Sequence, residues 1–340
     1  MTDTHDGERA QEASADDADS EGLTYADTGV DIDASEDATA ALLSAFGSGL
    51  TTEYAGLLDI GDRYLSLATD GVGTKLLVAE AVGDFSTVGI DCIAMNVNDL
   101  VAAGVTPVAF VDYLAVEEPN DELTREIGEG LAVGLEQSGM TLLGGETAVM
   151  PEVVSGFDLA GTCAGLAEKD EVIDGEAAVG DALVGLASSG IHSNGLTLAR
   201  EAVTRRHEYT DPFPPAPERT IGEALLEPTR IYTDLLEPMH EYGVNAAAHV
   251  TGGGWTNLLR MGDRRYVVED PHPSQPIFEF IQSEGGVTDE EMHRTFNMGT
   301  GFVVSLPDAR AEAFAAETGG TIIGRVEEGN SVEIRGLSLS

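Results

Sequence analysis

Apolar runs in this 340-residue chain stop, again and again, at turns rich in glycine and polar side chains. "RYLSLATD" (63–70) alternates as a strand does and runs straight into "GVGTK". "PVAFVDYLAV" (107–116) is almost continuously apolar, the pattern of a strand covered on both faces. "TLLGG" (141–145), "FDLAGTCAGLAE" (157–168), "ALVGLAS" (182–188) and "AAAHV" (246–250) read as further strands, as do 264–269, 301–306, 321–328 and 331–336. Helical spacing marks 36–47, 86–104, 121–139, 194–206, 308–320 and a stretch around 221–241 that Pro228 interrupts. Asp121 is the expected cap of the third of these. Strands and helices mix without a strict βαβ rhythm, which predicts an α+β or mixed α/β fold rather than a doubly wound sheet.

"KDEVIDGEAAVGD" (169–181) is polar, charged and turn-rich. It divides the chain into an N-terminal domain at 23–168 and a C-terminal α/β domain at 182–340, after an acidic tail at 1–22 expected to be disordered. The chain carries 61 acidic residues against 17 Lys and Arg, a net charge of −44. Such a surface repels itself in dilute buffer and is screened in molar salt, where the Debye length is about 3 Å. A salt-rich, halophilic cytoplasm is the setting this predicts. The same charge argues against nucleic acid as a partner. No apolar run reaches the roughly 18 residues of a membrane span, and the N-terminus has no apolar leader core. A cytoplasmic location follows as the expectation. Cys92 and Cys163 sit in apolar runs and read as buried small hydrophobes.

Lysine occurs twice, at 75 and 169, against fifteen arginines. One of the two closes "TDGVGTK". Asp70, Gly71, Gly73, Thr74 and Lys75 form a plausible phosphate turn, since glycines let backbone N–H groups approach oxygens and lysine adds charge. The spacing matches neither a P-loop nor a dinucleotide fingerprint. "GIDCIAMNVND" then sets Asp91, Asn96, Asn98 and Asp99 among apolar residues of a helix. Buried acids need a partner or a metal, and such oxygens suit Mg²⁺. "LLGGETAVMP" adds Gly144, Gly145, Glu146 and Thr147 at a strand end. Two more glycine turns follow apolar strands: "SSGIHSNG", with Ser189, Gly190, His192, Ser193 and Asn194, and "HVTGGGWTN", with Thr251, Gly252, Gly253 and Gly254. A helix behind such a turn favours an anion. His192 is a candidate proton carrier or anion donor. Asn297 precedes another glycine pair in "RTFNMGTGF". No Ser-His-Asp set or activated cysteine is evident, which argues against a protein nucleophile.

Taken in order, "YADTGVDIDA", "TDGVGTK", "GIDCIAMNVNDLVAAGVTPVAFVDYLAV", "LLGGETAVMP", "SSGIHSNG", "EPTRIY", "HVTGGGWTN" and "RTFNMGTGF" resemble the phosphoribosylformylglycinamidine cyclo-ligase (AIR synthetase) family, from about Tyr25 to Gly324. The resemblance implies ATP-dependent closure of formylglycinamidine ribonucleotide (FGAM) to aminoimidazole ribonucleotide (AIR). It also implies a homodimer whose N-terminal sheets join into a barrel. It assigns Asp70, Asp91, Asp99 and Glu146 to Mg²⁺–ATP. Gly71, Gly73, Thr74 and Lys75 go to phosphates, with Lys75 neutralising the transferred group. The loops 189–194 and 251–254 go to ATP or substrate phosphate. Two departures stand out: a short "FGSGLTTEYAGLL" (46–58) where the family has a longer glycine-rich stretch, and Val149 and Glu152 around Met150-Pro151. The alternatives are thiamine-monophosphate kinase, of the same superfamily, and a non-catalytic ATP-binding dimer.

Overall fold

The computed structural model describes residues 22–29, 38–42, 44, 55–173 and 175–339. The acidic tail to residue 21, residues 30–37 and the glycine-rich stretch 46–54 lie outside them. Of the helix expected at 36–47, residues 38–42 and 44 are helical.

The N-terminal sheet contains β1 (Gly56–Asp59), β2 (Arg63–Gly71), β3 (Thr106–Val116), β4 (Thr141–Val149) and β5 (Phe157–Glu168). Their order is β1-β2-β5-β3-β4, and only the β3–β4 pair is parallel. Between the strands run α1 (Lys75–Val82), α2 (Val88–Ala102) and α3 (Asp121–Ser138). Helix α2 is buried along almost its whole length, packing on the sheet and under α3. The α2–α3 approach depends on glycine: a Cβ at Gly89 would strike the backbone of Ile127 to Leu131. The cap of α3 is Asn120, one residue before the expected Asp121, and its side chain accepts from the N–H groups of Glu122 and Leu123.

Helices cover one face of this sheet. On the other face Leu67, Val111 and Tyr113 are 52%, 41% and 42% exposed, and the edge strand β4 is exposed over nearly all its length. The expectation of a β3 strand covered on both faces holds at its C-terminal end, 114–116, and fails at 111 and 113.

The C-terminal half opens with β6 (Asp181–Ala187), α4 (Leu196–Thr204), β7 (Pro212–Phe213), β8 (Ala216–Thr220) and α5 (Ile221–Leu225). The proline-rich stretch at 210–220 forms the β7–β8 hairpin. After an extended segment and a short 3₁₀ turn come α6 (Leu236–Tyr242) and β9 (Ala246–His249). The stretch around 221–241 is therefore two short helices parted at Pro228, whose ring cannot continue a helix. Then follow β10 (Arg265–Val268), α7 (Pro276–Gly285), α8 (Asp289–Thr295), β11 (Thr300–Pro307), α9 (Asp308–Thr318), β12 (Thr321–Glu327), β13 (Ser331–Ile334) and β14 (Leu337–Leu339). Helices α7 and α8 have no counterpart in the sequence reading. The seven-stranded sheet has the order β14-β13-β10-β12-β6-β11-β9.

Both faces of this second sheet are covered. Val184, Leu186, Phe302 and Val304 point into a core with Phe314, while Leu183 and Val303 point into another with Trp255 and Tyr266. The two halves also share apolar packing, since Leu198, Phe278 and Ile281 join the cluster that contains Cys92 and Phe110. The 169–181 segment is pinned to each half: Ile173 N–H donates to Ala103 O, and Ala177 N–H to Met261 O.

Candidate active site

The polar centre of the molecule lies where α1, α2 and the extended segment 227–232 meet. Lys75 starts α1 and is fully buried. Its Nζ donates to Asp91 Oδ1 (2.8 Å) and to Glu227 O (2.7 Å). Thr229 donates to the same Asp91 oxygen from its N–H (2.8 Å) and its hydroxyl (2.6 Å). Burial pulls the Lys75 ammonium below the usual lysine range, opposed by the charge of Asp91. The lysine singled out by composition thus neutralises a buried carboxylate. It is not presented to an open phosphate site, and its assignment to the transferred group gives way to this geometry.

Asp91 changes role for the same reason. One oxygen takes three donors, and eight helical residues, about 12 Å of rise, separate it from Asp99. One cation cannot be shared by the two. Asn96 and Asn98, expected near phosphate, are fully buried clamps. Asn96 exchanges hydrogen bonds with the backbone of Asp70 and donates to Cys92 O. Asn98 donates to Arg230 O and accepts from Tyr232 N–H. The segment 227–232 is consequently bound by α1 and α2 at four of its six residues. Ser189 Oγ adds a bond to Pro228 O, and the Tyr232 hydroxyl one to Ala187 O.

Asp70 and Asp99 are near enough to act on one another electrostatically. The Asp70 carboxyl is pushed up to about 6, first by burial and then by the charge of Asp99. Asp99 Oδ1 lies 3.2 Å from His249 Nδ1, and His249 Nε2 lies 3.3 Å from Asn98 Nδ2. With Asn98 donating to Nε2, Nδ1 is the nitrogen left to donate to Asp99. His249, at the end of β9, was not singled out by sequence, although a histidine closing "AAAHV" was the available signal. A buried carboxyl that feels the charge of a second acid suits a divalent cation, which commonly takes one or two carboxylates and leaves its other positions to phosphate and water.

Glu146 does not join this pair. In register, Asp70 faces Gly161, Gly161 faces Asp112, and Asp112 faces Gly145, so Glu146 is about three strand spacings, roughly 14 Å, away. It also points to the opposite, open face of the sheet. Among the described residues no three His, Cys, Asp or Glu side chains form a metal cluster. The same row brings in Asp112, which sequence reading passed over. Burial raises its carboxyl, and a Cβ at Gly145 would collide with it. Gly144 and Thr147 are exposed on β4.

Three glycine turns surround the Asp70–Asp99 pair. In the first, Gly73 takes φ +73° and is exposed, and Gly71 N–H donates to Asp70 Oδ1. Thr74 Oγ1 bonds Thr197 Oγ1 at 2.9 Å, tying this turn to α4, whose start follows the second turn. In the second, Ser189 N–H donates to His192 Nε2, and Ser193 Oγ lies 3.3 Å from Thr229 Oγ1. Asn297, 2% exposed, braces that turn by donating to Gly190 O and Ile191 O. It is a brace and not a ligand contact. A Cβ at Gly252, in the third turn, would touch Asn194 Oδ1. Gly253 and Gly254 take φ +89° and +53°, and Asn257 donates to the carbonyls of Gly252 and Gly254. Thr251 is half-buried beside them.

His192 is 1% exposed and sits at φ +66°, a conformation rare for a residue with a Cβ. Burial, with the charges of His249, Lys75 and Arg230, keeps its imidazole neutral well below the ordinary histidine range. It shapes the second turn. Its Nε2 is taken by its own loop, while its Nδ1 is buried without a partner among the described residues. Arg230 lies over the Tyr232 ring, 4.8 Å from its centre, and donates to Ala187 O.

A mixed α/β fold in two sheets, with glycine turns gathered around paired acids at the junction, defines a class. The family model described as "AIR synthase related protein, N-terminal domain" matches residues 52–167, and its C-terminal counterpart matches 178–336. The chain belongs to the AIR synthase related proteins. It is 49% identical over 328 residues to the phosphoribosylformylglycinamidine cyclo-ligase of Methanococcoides burtonii, covering 93% of this chain and 98% of that one. It is 50% identical, with the same coverage, to the enzyme of that name from Methanosarcina barkeri. Among solved structures, AaThiL complexed with AMPPCP and TMP superposes with a TM-score of 0.66 at 19% identity, over 89% of this chain and 94% of that one. That likeness speaks for the fold. No helix among the described residues is long and apolar enough to cross a membrane.

Proposed function

We propose that the chain is a phosphoribosylformylglycinamidine cyclo-ligase of purine biosynthesis: FGAM and ATP give AIR, ADP and phosphate. The convergence of three glycine turns on Asp70 and Asp99, in a chain about half identical to relatives of that name, carries the reading. Identity at that level weighs more than the 19% likeness to AaThiL, so the kinase alternative is not favoured. ATP phosphorylates the formyl amide oxygen, which becomes a leaving group. The amidine nitrogen of the same substrate attacks that carbon, the C–O bond breaks, phosphate departs and the imidazole ring closes. Such a reaction asks for positioning and charge neutralisation, and for no protein nucleophile.

The residues divide accordingly. Asp70 and Asp99 would hold Mg²⁺, which supplies charge neutralisation on the phosphates. Gly71, Gly73 and Thr74 offer backbone N–H groups to phosphate oxygens. Ser193, Asn194, Thr251 and Gly252 line the adjoining turns and offer further donors to bound phosphate. Lys75, Asp91, Asn96, Asn98, His192 and Asn297 fix these turns from behind. The bare apolar face around Leu67, Val111 and Tyr113 supports a homodimer formed through the N-terminal sheets, with Glu146 at that interface. The charge of −44 supports a cytoplasm rich in salt. We place the domain division at 169–181.

The test is ADP release in molar KCl with Mg²⁺–ATP, with and without FGAM, while AIR is followed by its diazo-coupled dye. ADP and AIR appearing together, and only with FGAM, is the expected result. ATP binding without turnover would remove the enzyme reading.

A further inference from the structure

Sixteen of the seventeen Lys and Arg residues fall among the described positions. In so acidic a chain each is expected to find an acid or a carbonyl. Arg200 on α4 does not: among the described residues it is the one cationic side chain with no ion-pair or hydrogen-bond partner, and its Nε is buried without an acceptor. Even its neighbour Arg205 is paired, to Glu201 at 3.4 Å. A buried guanidinium N–H without an acceptor is destabilising.

Arg200 lines a cavity of about 540 Å³ between α4 and the 23–28 segment, with Thr28, Thr197 and Thr204. The acids of this cavity are already engaged. Asp27 accepts from the Thr24 N–H and hydroxyl, and Glu201 faces Arg205. The planar donor fork of Arg200 is left as the cavity's unmatched charge, and that fork fits a phosphate or carboxylate. The cavity adjoins the candidate active site through Thr197, whose hydroxyl bonds Thr74 in the first glycine turn. The Tyr25 hydroxyl lies against the same Thr197 and the Gly195 backbone.

We propose that this cavity is an anion site in which Arg200 binds the 5′-phosphate of the ribonucleotide substrate, leaving the turns at 71–74 and 189–194 to the triphosphate. The assignment rests on the cyclo-ligase reading for its substrate, and on the unpartnered guanidinium for its chemistry. Loss of a charge-assisted contact of this kind is worth about 10- to 100-fold in affinity.

Steady-state kinetics of Arg200→Gln and Arg200→Lys test it. The expected result is a rise of about 10- to 100-fold in KM for FGAM with Arg200→Gln, a smaller rise with Arg200→Lys, and a KM for ATP within about twofold of the parent. An unchanged KM for FGAM, or a rise confined to ATP, overturns the proposal. Thermal melts of the full chain with ribose 5-phosphate and with ribose form a second arm that needs no turnover. A melting shift given by ribose 5-phosphate alone, and lost in Arg200→Gln, supports the site even if no AIR is formed. Equal shifts in parent and variant overturn it. Absence of AIR from the parent protein would count against the cyclo-ligase reading alone.

Discussion

The two sheets of this protein are built to different standards of closure. In the C-terminal sheet β6 and β11 are buried along almost every residue, with a separate apolar core on each face. In the N-terminal sheet only the helical face is finished. The opposite face shows Leu67, Val111 and Tyr113 to solvent, and β4 is open along most of its length. The finished sheet holds itself together. The unfinished one carries Asp70 at a strand end and leaves apolar surface for a second body. With the dimer proposed above, stability and association fall to different halves of one chain.

The sharpest way to break this contrast is to place the same charge in both sheets. Val304→Glu buries a carboxylate without a partner and is expected to abolish folding, since several kcal/mol are lost from a total of about 5–15. Val111→Glu is expected to leave a folded chain whose mass by light scattering is half that of the parent. A parent that is already monomeric would sink the assignment of the bare face.

The junction comes next. Lys75→Met strips the counter-charge from Asp91 and is expected to cost about 3–5 kcal/mol in chemical denaturation. Adding Asp91→Leu should recover part of that. If Lys75→Met alone unfolds no more easily than the parent, the buried pair is not what holds the halves.

Asp70 gives the third test. Its folded proton affinity lies above the unfolded value, so its contribution to stability is full below about pH 4 and is lost as the pH rises through about 6. Asp70→Asn should remove that slope. The gain is up to about 3 kcal/mol at pH 8 and nothing near pH 3.5, accompanied by loss of turnover. Denaturation curves at the two pH values check this, and a gain of equal size at both would refute it. The smallest effect belongs to the exposed Arg63–Glu168 pair on β2 and β5. Arg63→Gln should cost about 0–1 kcal/mol in dilute buffer and nothing measurable in molar KCl.

Local pattern carried the strands and the glycine turns, because apolar runs and positive-φ positions leave direct marks in sequence. It failed where partners come from far along the chain. "TDGVGTK" announces a phosphate turn, yet the direction of Lys75 depends on Asp91, sixteen residues on, and on Glu227, 152 residues on. "EPTRIY" is legible as a signature, but nothing local says that its backbone is the part bound by α2. Asp112 and His249 were missed for a related reason: one belongs to the site by strand register and the other by the pairing of distant elements. Helices α7 and α8 escaped because, at ten and seven residues, each is too short for helical spacing to stand clear of the loops around it.

The clamp around residues 227–232 also bears on how the chain matures. Asp91 and Lys75 leave the ribosome early, and the carbonyl and hydroxyl that complete their bonds emerge more than 130 residues later. Until then the first half carries a charged pair that lacks its lid. The N-terminal half therefore cannot finish ahead of the rest, in contrast to the usual domain-by-domain order. Its last buried contacts form only when the second half arrives, so synthesis of the whole chain and completion of the site are one event.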